Sequence, residues 1–173
     1  MSANKKLPPE FFLSDCLTLA PNLIGKLLCR KLPDGQVLKL RIDETEAYNG
    51  IQDSACHASK GKTPRTQVMW NKGGSIYVYL IYGMYWLLNI VSNTENNPEA
   101  VLIRSCKDFN GPGKLTKYLQ IDKSFYGLDI ADNDLIWLED DGYIPKIITG
   151  KRVNINYADD YYKNILWRFI DKS

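Results

Sequence analysis

The sequence predicts an α+β fold: a single mixed domain on a curved, mainly antiparallel β-sheet, with flanking helices and a protruding β-hairpin. Three observations lead there. Strand-length runs rich in branched and aromatic residues recur along the chain, helical spacing is confined to short stretches, and no repeat, linker or low-complexity tract divides the whole. A chain of 173 residues that is 45% hydrophobic has apolar material for one core, so the expected organisation is a flexible tail over residues 1–8 and one domain over 9–173.

The elements follow in order. Ser14 reads as the N-cap of an opening helix that runs to Leu23. Lys26–Leu32 and Val37–Ile42 read as strands joined by a Pro33-Asp34-Gly35 turn. The segment up to Lys62 is short of large apolar side chains and reads as a surface loop, with Thr63-Pro64 capping a short helix to Trp70. Ser75–Ile81 and Tyr85–Val91 form a hairpin whose tip is Tyr82-Gly83-Met84. Ala100–Cys106 is a strand carrying a charge, Arg104. Gly111-Pro112-Gly113 precedes a short basic helix, Lys114–Leu119, whose amino end suits a phosphate. Leu135–Leu138 is a strand before an acidic turn, Glu139–Gly142, and further strands are expected near Ile147-Ile148 and Arg152-Val153.

Composition excludes several function classes. A formal charge of +2 permits a nucleic-acid partner without requiring one. Cys16, Cys29, Cys56 and Cys106 lie far apart, with no CxxC pair and a lone histidine, so neither a zinc site nor a redox dithiol is expected. No metal or other cofactor is anticipated. The amino terminus has no apolar stretch of signal-peptide length and no window approaches a membrane span, which reads as a soluble, cytoplasmic protein.

Asp43-Glu44-Thr45-Glu46-Ala47-Tyr48 carries the main chemical signal. On a strand, alternate side chains share a face, so Glu44, Glu46 and Tyr48 point one way and Asp43, Thr45 and Ala47 the other. Glu46 is then a candidate base beside a stacking surface. Spacing alone favours a plainer reading, a solvated face paired with Lys or Arg neighbours. Tyr79 and Tyr85 read first as ordinary half-buried strand residues, and His57 as a loop hydrogen-bonding residue. Asn89, inside an apolar strand, either satisfies a backbone group or reads a ligand edge. Arg104 either neutralises Glu44 or Glu46 or holds a water or phosphate. Tyr82 beside Gly83 would be exposed, in a place suited to insertion between bases.

Taken together, Glu44-Thr45-Glu46-Ala47-Tyr48, His57, Thr63-Pro64-Arg65, the run Tyr77-Val78-Tyr79-Leu80-Ile81-Tyr82-Gly83-Met84-Tyr85, Asn89, Leu102-Ile103-Arg104 and Gly111-Pro112-Gly113-Lys114-Leu115 resemble the alkyladenine DNA glycosylase family, the mammalian-type 3-methyladenine DNA glycosylases. The likeness covers about residues 20 to 130. It implies a monofunctional base-excision repair enzyme, a monomer acting on damaged double-stranded DNA through the minor groove, nucleoid-associated if bacterial, and free of cofactors. It further implies Glu46 as general base with Arg104 in support, Tyr48, His57, Tyr79 and Asn89 as the base-binding pocket, and Tyr82 as the intercalating residue. Two rival readings compete with it: a binding module without catalysis, against which the intact Glu46 argues, and a small-molecule glycosidase using Glu44 and Glu46. Side chains two apart on a strand stand about 7 Å apart and parallel, so that pair cannot flank a sugar from opposite sides.

Overall fold

The computed structural model describes residues 4–173. Its strands are β1 (Lys5–Lys6), β2 (Leu27–Lys31), β3 (Val37–Tyr48), β4 (Ile76–Ile81), β5 (Tyr85–Ser92), β6 (Glu99–Cys106), β7 (Ile136–Asp140), β8 (Ile147–Gly150) and β9 (Arg168–Asp171). The helices are α1 (Cys16–Leu23), α2 (Pro112–Tyr118) and α3 (Asp160–Asn164). The strands run in the order β1-β7-β2-β3-β6-β5-β4, every pair antiparallel, with β9 joining β3 and β8 joining β9. This is the mainly antiparallel α+β architecture expected.

The long strand β3 organises the molecule. Val37–Arg41 pairs with β2, and beyond Arg41 the partners are β6, from Ile42 onward, and β9, opposite Glu44–Glu46. The β3–β6 register slips on either side of Glu44: Ile42 faces Cys106, Glu44 faces Ser105, and Thr45 faces Ile103. Asp43 on one strand and Arg104 on the other are thereby left outside regular pairing, the signature of a bulge that bends the sheet and re-aims side chains. The strict alternation expected over Asp43–Tyr48 fails at this point. The Ser105 hydroxyl bonds to both Asp43 and Glu44, so these neighbours approach one partner instead of opposite faces.

The core lies between this sheet and α1. Cys16, Leu19, Ala20 and Leu23 recur at helical spacing and are fully buried, against Ile42, Ala47, Leu88, Ile90, Val101 and Ile103. Withdrawing each such leucine from water contributes roughly 1.5–3 kcal/mol. Thr45 donates a 2.8 Å bond to the Ala20 carbonyl, which fixes α1 over the strand that carries Glu46. On the far side of the hairpin, α2 buries Leu115 and ties Thr116 to the Trp86 carbonyl at 2.6 Å.

Several local expectations are corrected. The first three residues of the expected tail lie outside the described residues, but Lys5 and Lys6 pair with Asp140 and Glu139, and Leu7 is buried. The N-cap of α1 is Asp15, whose carboxylate accepts the Thr18 amide hydrogen at 3.0 Å. Glu139 and Asp140 belong to β7; Glu139 holds Lys39, Asn4 and the Trp137 ring nitrogen, a pairing that sequence-local patterns do not reveal. Arg152 and Val153 lie in a loop instead of a strand, while α3 and β9 were not foreseen. Apart from the Asp15 cap, which is a local contact with Thr18, long-range partners outweighed local propensity.

Candidate active site

Glu46 is fully buried, yet it borders a cleft of about 380 Å³. The same cleft is lined by Tyr48, His57, Tyr79, Tyr82 and Arg104, so six of the seven residues singled out in the sequence converge on one opening. The seventh, Asn89, lines a smaller inner cavity behind it, shared with Tyr48, His57, Tyr77 and Tyr79. Gly111, Pro112, Gly113 and Lys114 form part of the cleft rim.

Strand geometry explains this convergence. Glu46 and Tyr48 are two residues apart on β3, and the Tyr48 hydroxyl donates to Glu46 Oε2 at 2.7 Å. The other carboxylate oxygen, Oε1, accepts the Val153 amide hydrogen at 2.7 Å. Arg104 Nε lies 3.2 Å from Glu44 and 3.8 Å from Glu46, and Arg168 donates to Glu44 at 2.9 Å. Glu44 is thus held by two guanidinium groups. Arg104 meets the sequence alternative of a charge-neutralising partner and lines the cleft as well.

Burial pushes the Glu46 carboxyl above its ordinary value. The Tyr48 and Val153 hydrogen bonds and the Arg104 charge pull it back, while Glu44 adds to the rise. A carboxyl raised in this way is better matched to proton abstraction near neutral pH than an ordinary exposed one. The Tyr48 phenol is raised well above its usual value, first by burial and then by Glu46, so it keeps its proton and remains the donor.

The opposing aromatic wall comes from β4 and the loop after β3. Tyr77 and Tyr79 lie two apart on β4 with ring centroids 5.3 Å apart, and the His57 ring sits 4.5 Å from that of Tyr79. His57 Nδ1 is 2.8 Å from the Tyr77 hydroxyl. Burial, with the nearby Arg65 charge, lowers His57 to about 4, so the imidazole is neutral near neutral pH. The Arg65 guanidinium stands 5.1 Å over the Tyr79 ring. Asn89 donates to the Tyr77 carbonyl at 3.1 Å, which realises one of its two sequence alternatives, and its side chain also borders the inner cavity.

Tyr82 stands at the hairpin tip with 82% of its surface exposed and φ 52°, followed by Gly83 at φ 65°. Two successive left-handed residues make the tight turn that suits hairpin twist, but the conformation is unfavourable for a tyrosine. Met84 beside it is also exposed.

Sequence reasoning missed three contributors: the Val153 amide and the buried Asp53–Arg152 pair. Tyr77 belongs to the aromatic run already noted and follows strand alternation. The missed residues come from loops about a hundred residues apart and left no local signal. Among the described residues no group of three or more His, Cys, Asp or Glu side chains is arranged to hold a metal, and no helix is long and apolar enough to cross a membrane.

The family model described as methylpurine-DNA glycosylase (MPG) matches residues 10–109 and 105–173. A protein of Borreliella afzelii named as a candidate 3-methyladenine DNA glycosylase is 49% identical over 92% of this chain and 92% of its own length. Similarly named proteins of Psychrobacter cryohalolentis and Natranaerobius thermophilus are 42% identical over 94% of this chain and 90% of their protein, and 43% identical over 95% and 94%, respectively. With a family match spanning nearly its whole length, ordered site motifs and an acid-bearing aromatic cleft, the chain belongs to the methylpurine-DNA glycosylase family and is a hydrolase of the DNA glycosylase class.

Proposed function

We propose that this chain, a single glycosylase domain working as a monomer on duplex DNA in the cytoplasm or nucleoid, excises alkylated or deaminated purines in base-excision repair. The damaged nucleotide rotates out of the stack into the cleft, and Glu46 activates the water that replaces the base at C1′, leaving an abasic site. The observation that carries this reading is a fully buried carboxylate bordering an aromatic cleft.

The arrangement fits the chemistry. The bond to a cationic alkylated purine is already weakened, and an oxocarbenium-like sugar gains from a nearby negative charge and from aromatic faces. Tyr48, on one wall, and His57 with Tyr79, on the other, supply stacking surface for a flat base. Asn89, deeper in, crowds the edge where guanine carries its exocyclic amino group. Tyr82 enters the gap left in the duplex. A neutral His57 is a poor acid, so a deaminated purine must take its proton from water, and cationic lesions should react faster. The small-molecule glycosidase reading loses its second carboxylate, since Glu44 is engaged by Arg104 and Arg168.

The test is a duplex carrying one alkylated adenine, scored for abasic sites by alkali cleavage. Wild-type protein should release the base, and Glu46→Gln should lose at least about 100-fold in rate, the size expected for removing a general base, while still binding the damaged duplex. A Glu46→Gln enzyme with undiminished turnover would remove Glu46 from the mechanism.

A further inference from the structure

We infer that the buried ion pair between Arg152 and Asp53 is a positioning device, fastening the loop after β8 onto β3 so that the Val153 amide reaches Glu46. The inference rests on the reading of Glu46 as the base and extends it to two residues that touch neither water nor base.

Both side chains are wholly withdrawn from solvent. The guanidinium grips Asp53 with two nitrogens, at 2.5 and 2.9 Å, and the Asp53 carboxylate in turn accepts the Asn49 and Ala55 amide hydrogens, each at 3.0 Å. Asp53 therefore organises the turn that leaves β3. Arg152 also donates to the Ala47 carbonyl at 2.9 Å and to the Tyr162 carbonyl at 3.2 Å. Ala47 lies between Glu46 and Tyr48, so Arg152 is bonded to the strand midway between the base and its aromatic neighbour. The guanidinium carbon lies 4.9 Å from the centre of the Tyr48 ring and 5.1 Å from that of Trp167. One residue further along, the Val153 amide completes the contact with Glu46 at 2.7 Å.

A buried pair of this kind is weak evidence of net stabilisation, because desolvation offsets its attraction. What a planar, five-donor fork supplies is geometry. Apolar replacements would fill the volume yet would not fix the distance between residues 152 and 47. The consequence falls on the carboxylate, whose ionised form gains from the amide hydrogen bond. Glu46 is also faced by Tyr48 and Glu44 on its own strand, Arg104 from β6, Tyr79 from β4, Arg168 from β9, and Arg152 and Tyr157 from the C-terminal loops. Val153→Pro leaves all of these neighbours in place, so loss of the amide raises the Glu46 carboxyl and shifts the rate profile to higher pH; Arg152→Met also removes a charge that faces Glu46, which acts in the same direction, and Arg152→Lys keeps that charge.

The experiment measures single-turnover excision from an alkylated duplex as a function of pH for wild type, Arg152→Met, Arg152→Lys and Val153→Pro, with folding checked by thermal melting. Val153→Pro deletes the amide hydrogen directly and sets the size of the effect, a rise of the acid limb by about one pH unit. Arg152→Met should reproduce that rise with less than about a fivefold change in duplex affinity, because the lost bond acts on the carboxylate instead of the DNA. Arg152→Lys, which keeps the charge but not the fork, should recover only part of it; if Arg152→Met does not fold, Arg152→Lys carries the test. A folded Arg152 variant with an unmoved acid limb overturns the inference. Normal turnover by Glu46→Gln would instead sink the parent reading, so the two failures are distinguishable.

Discussion

The hydroxyl of Tyr48 donates a 2.7 Å hydrogen bond to Oε2 of Glu46, and the phenol keeps its proton because burial raises it well above its usual value. With the Val153 amide on Oε1, each carboxylate oxygen accepts one hydrogen bond. The carboxylate is therefore held in one orientation by a bond to each of its oxygens.

Removing that hydroxyl should be legible in kinetics. In Tyr48→Phe the ring remains but the hydrogen bond that favours the ionised carboxyl is lost, so the Glu46 carboxyl rises further. Activity requires the ionised form, which grows as pH increases, so the acid limb should move to higher pH by up to about one unit, with the plateau above it largely kept. A pH–rate profile coincident with that of wild type would show that the contact does not tune the base.

His57 makes stability depend on pH in a definite direction. An unfolded histidine titrates near 6.5 and this one is lowered to about 4, first by burial and then by Arg65. The unfolded chain binds the extra proton between those values, so the contribution is fully present above about 6.5 and is lost as pH falls toward 4. His57→Gln should therefore narrow the stability difference between neutral and mildly acidic buffer by on the order of 2 kcal/mol in denaturant titrations. An unchanged difference would place the imidazole in a more solvated setting.

The exposed Tyr82 contributes nothing evident to the core, and its left-handed backbone makes it a poor conformational choice. Tyr82→Ala should leave the melting temperature within a few degrees of wild type. It should weaken binding to damaged duplex at least about tenfold, and weaken binding to the same lesion in single strands less, since only a duplex leaves a gap to fill. Equal losses on both substrates would argue against insertion.

Gly113 tests the packing of the cleft rim. A Cβ added there would lie 2.7 Å from the Tyr85 ring, closer than side chains tolerate. Gly113→Ala should destabilise the protein by about 1–3 kcal/mol in chemical denaturation, the cost of overpacking, and disturb the hairpin wall of the cleft. A neutral or stabilising outcome would mean that Tyr85 moves aside freely.

Elements whose signal is local are legible in the chain before any folding is considered. Period-two alternation placed Glu46 beside Tyr48 and ran the aromatic hairpin from Ser75 to Val91, and Gly83 marked its tip. The ordered motifs carried the family. What depends on distant partners came from the folded chain: β3 bulges at Glu44, so that Asp43 and Glu44 share Ser105, and Lys5 and Lys6 join the sheet. It alone set Arg152 against Asp53, ninety-nine residues away, and the neighbouring Val153 amide against the Glu46 carboxylate. Local pattern reports which face a side chain takes. Burial, ion pairing and hydrogen-bond completion are settled by whatever the rest of the chain lays against that face.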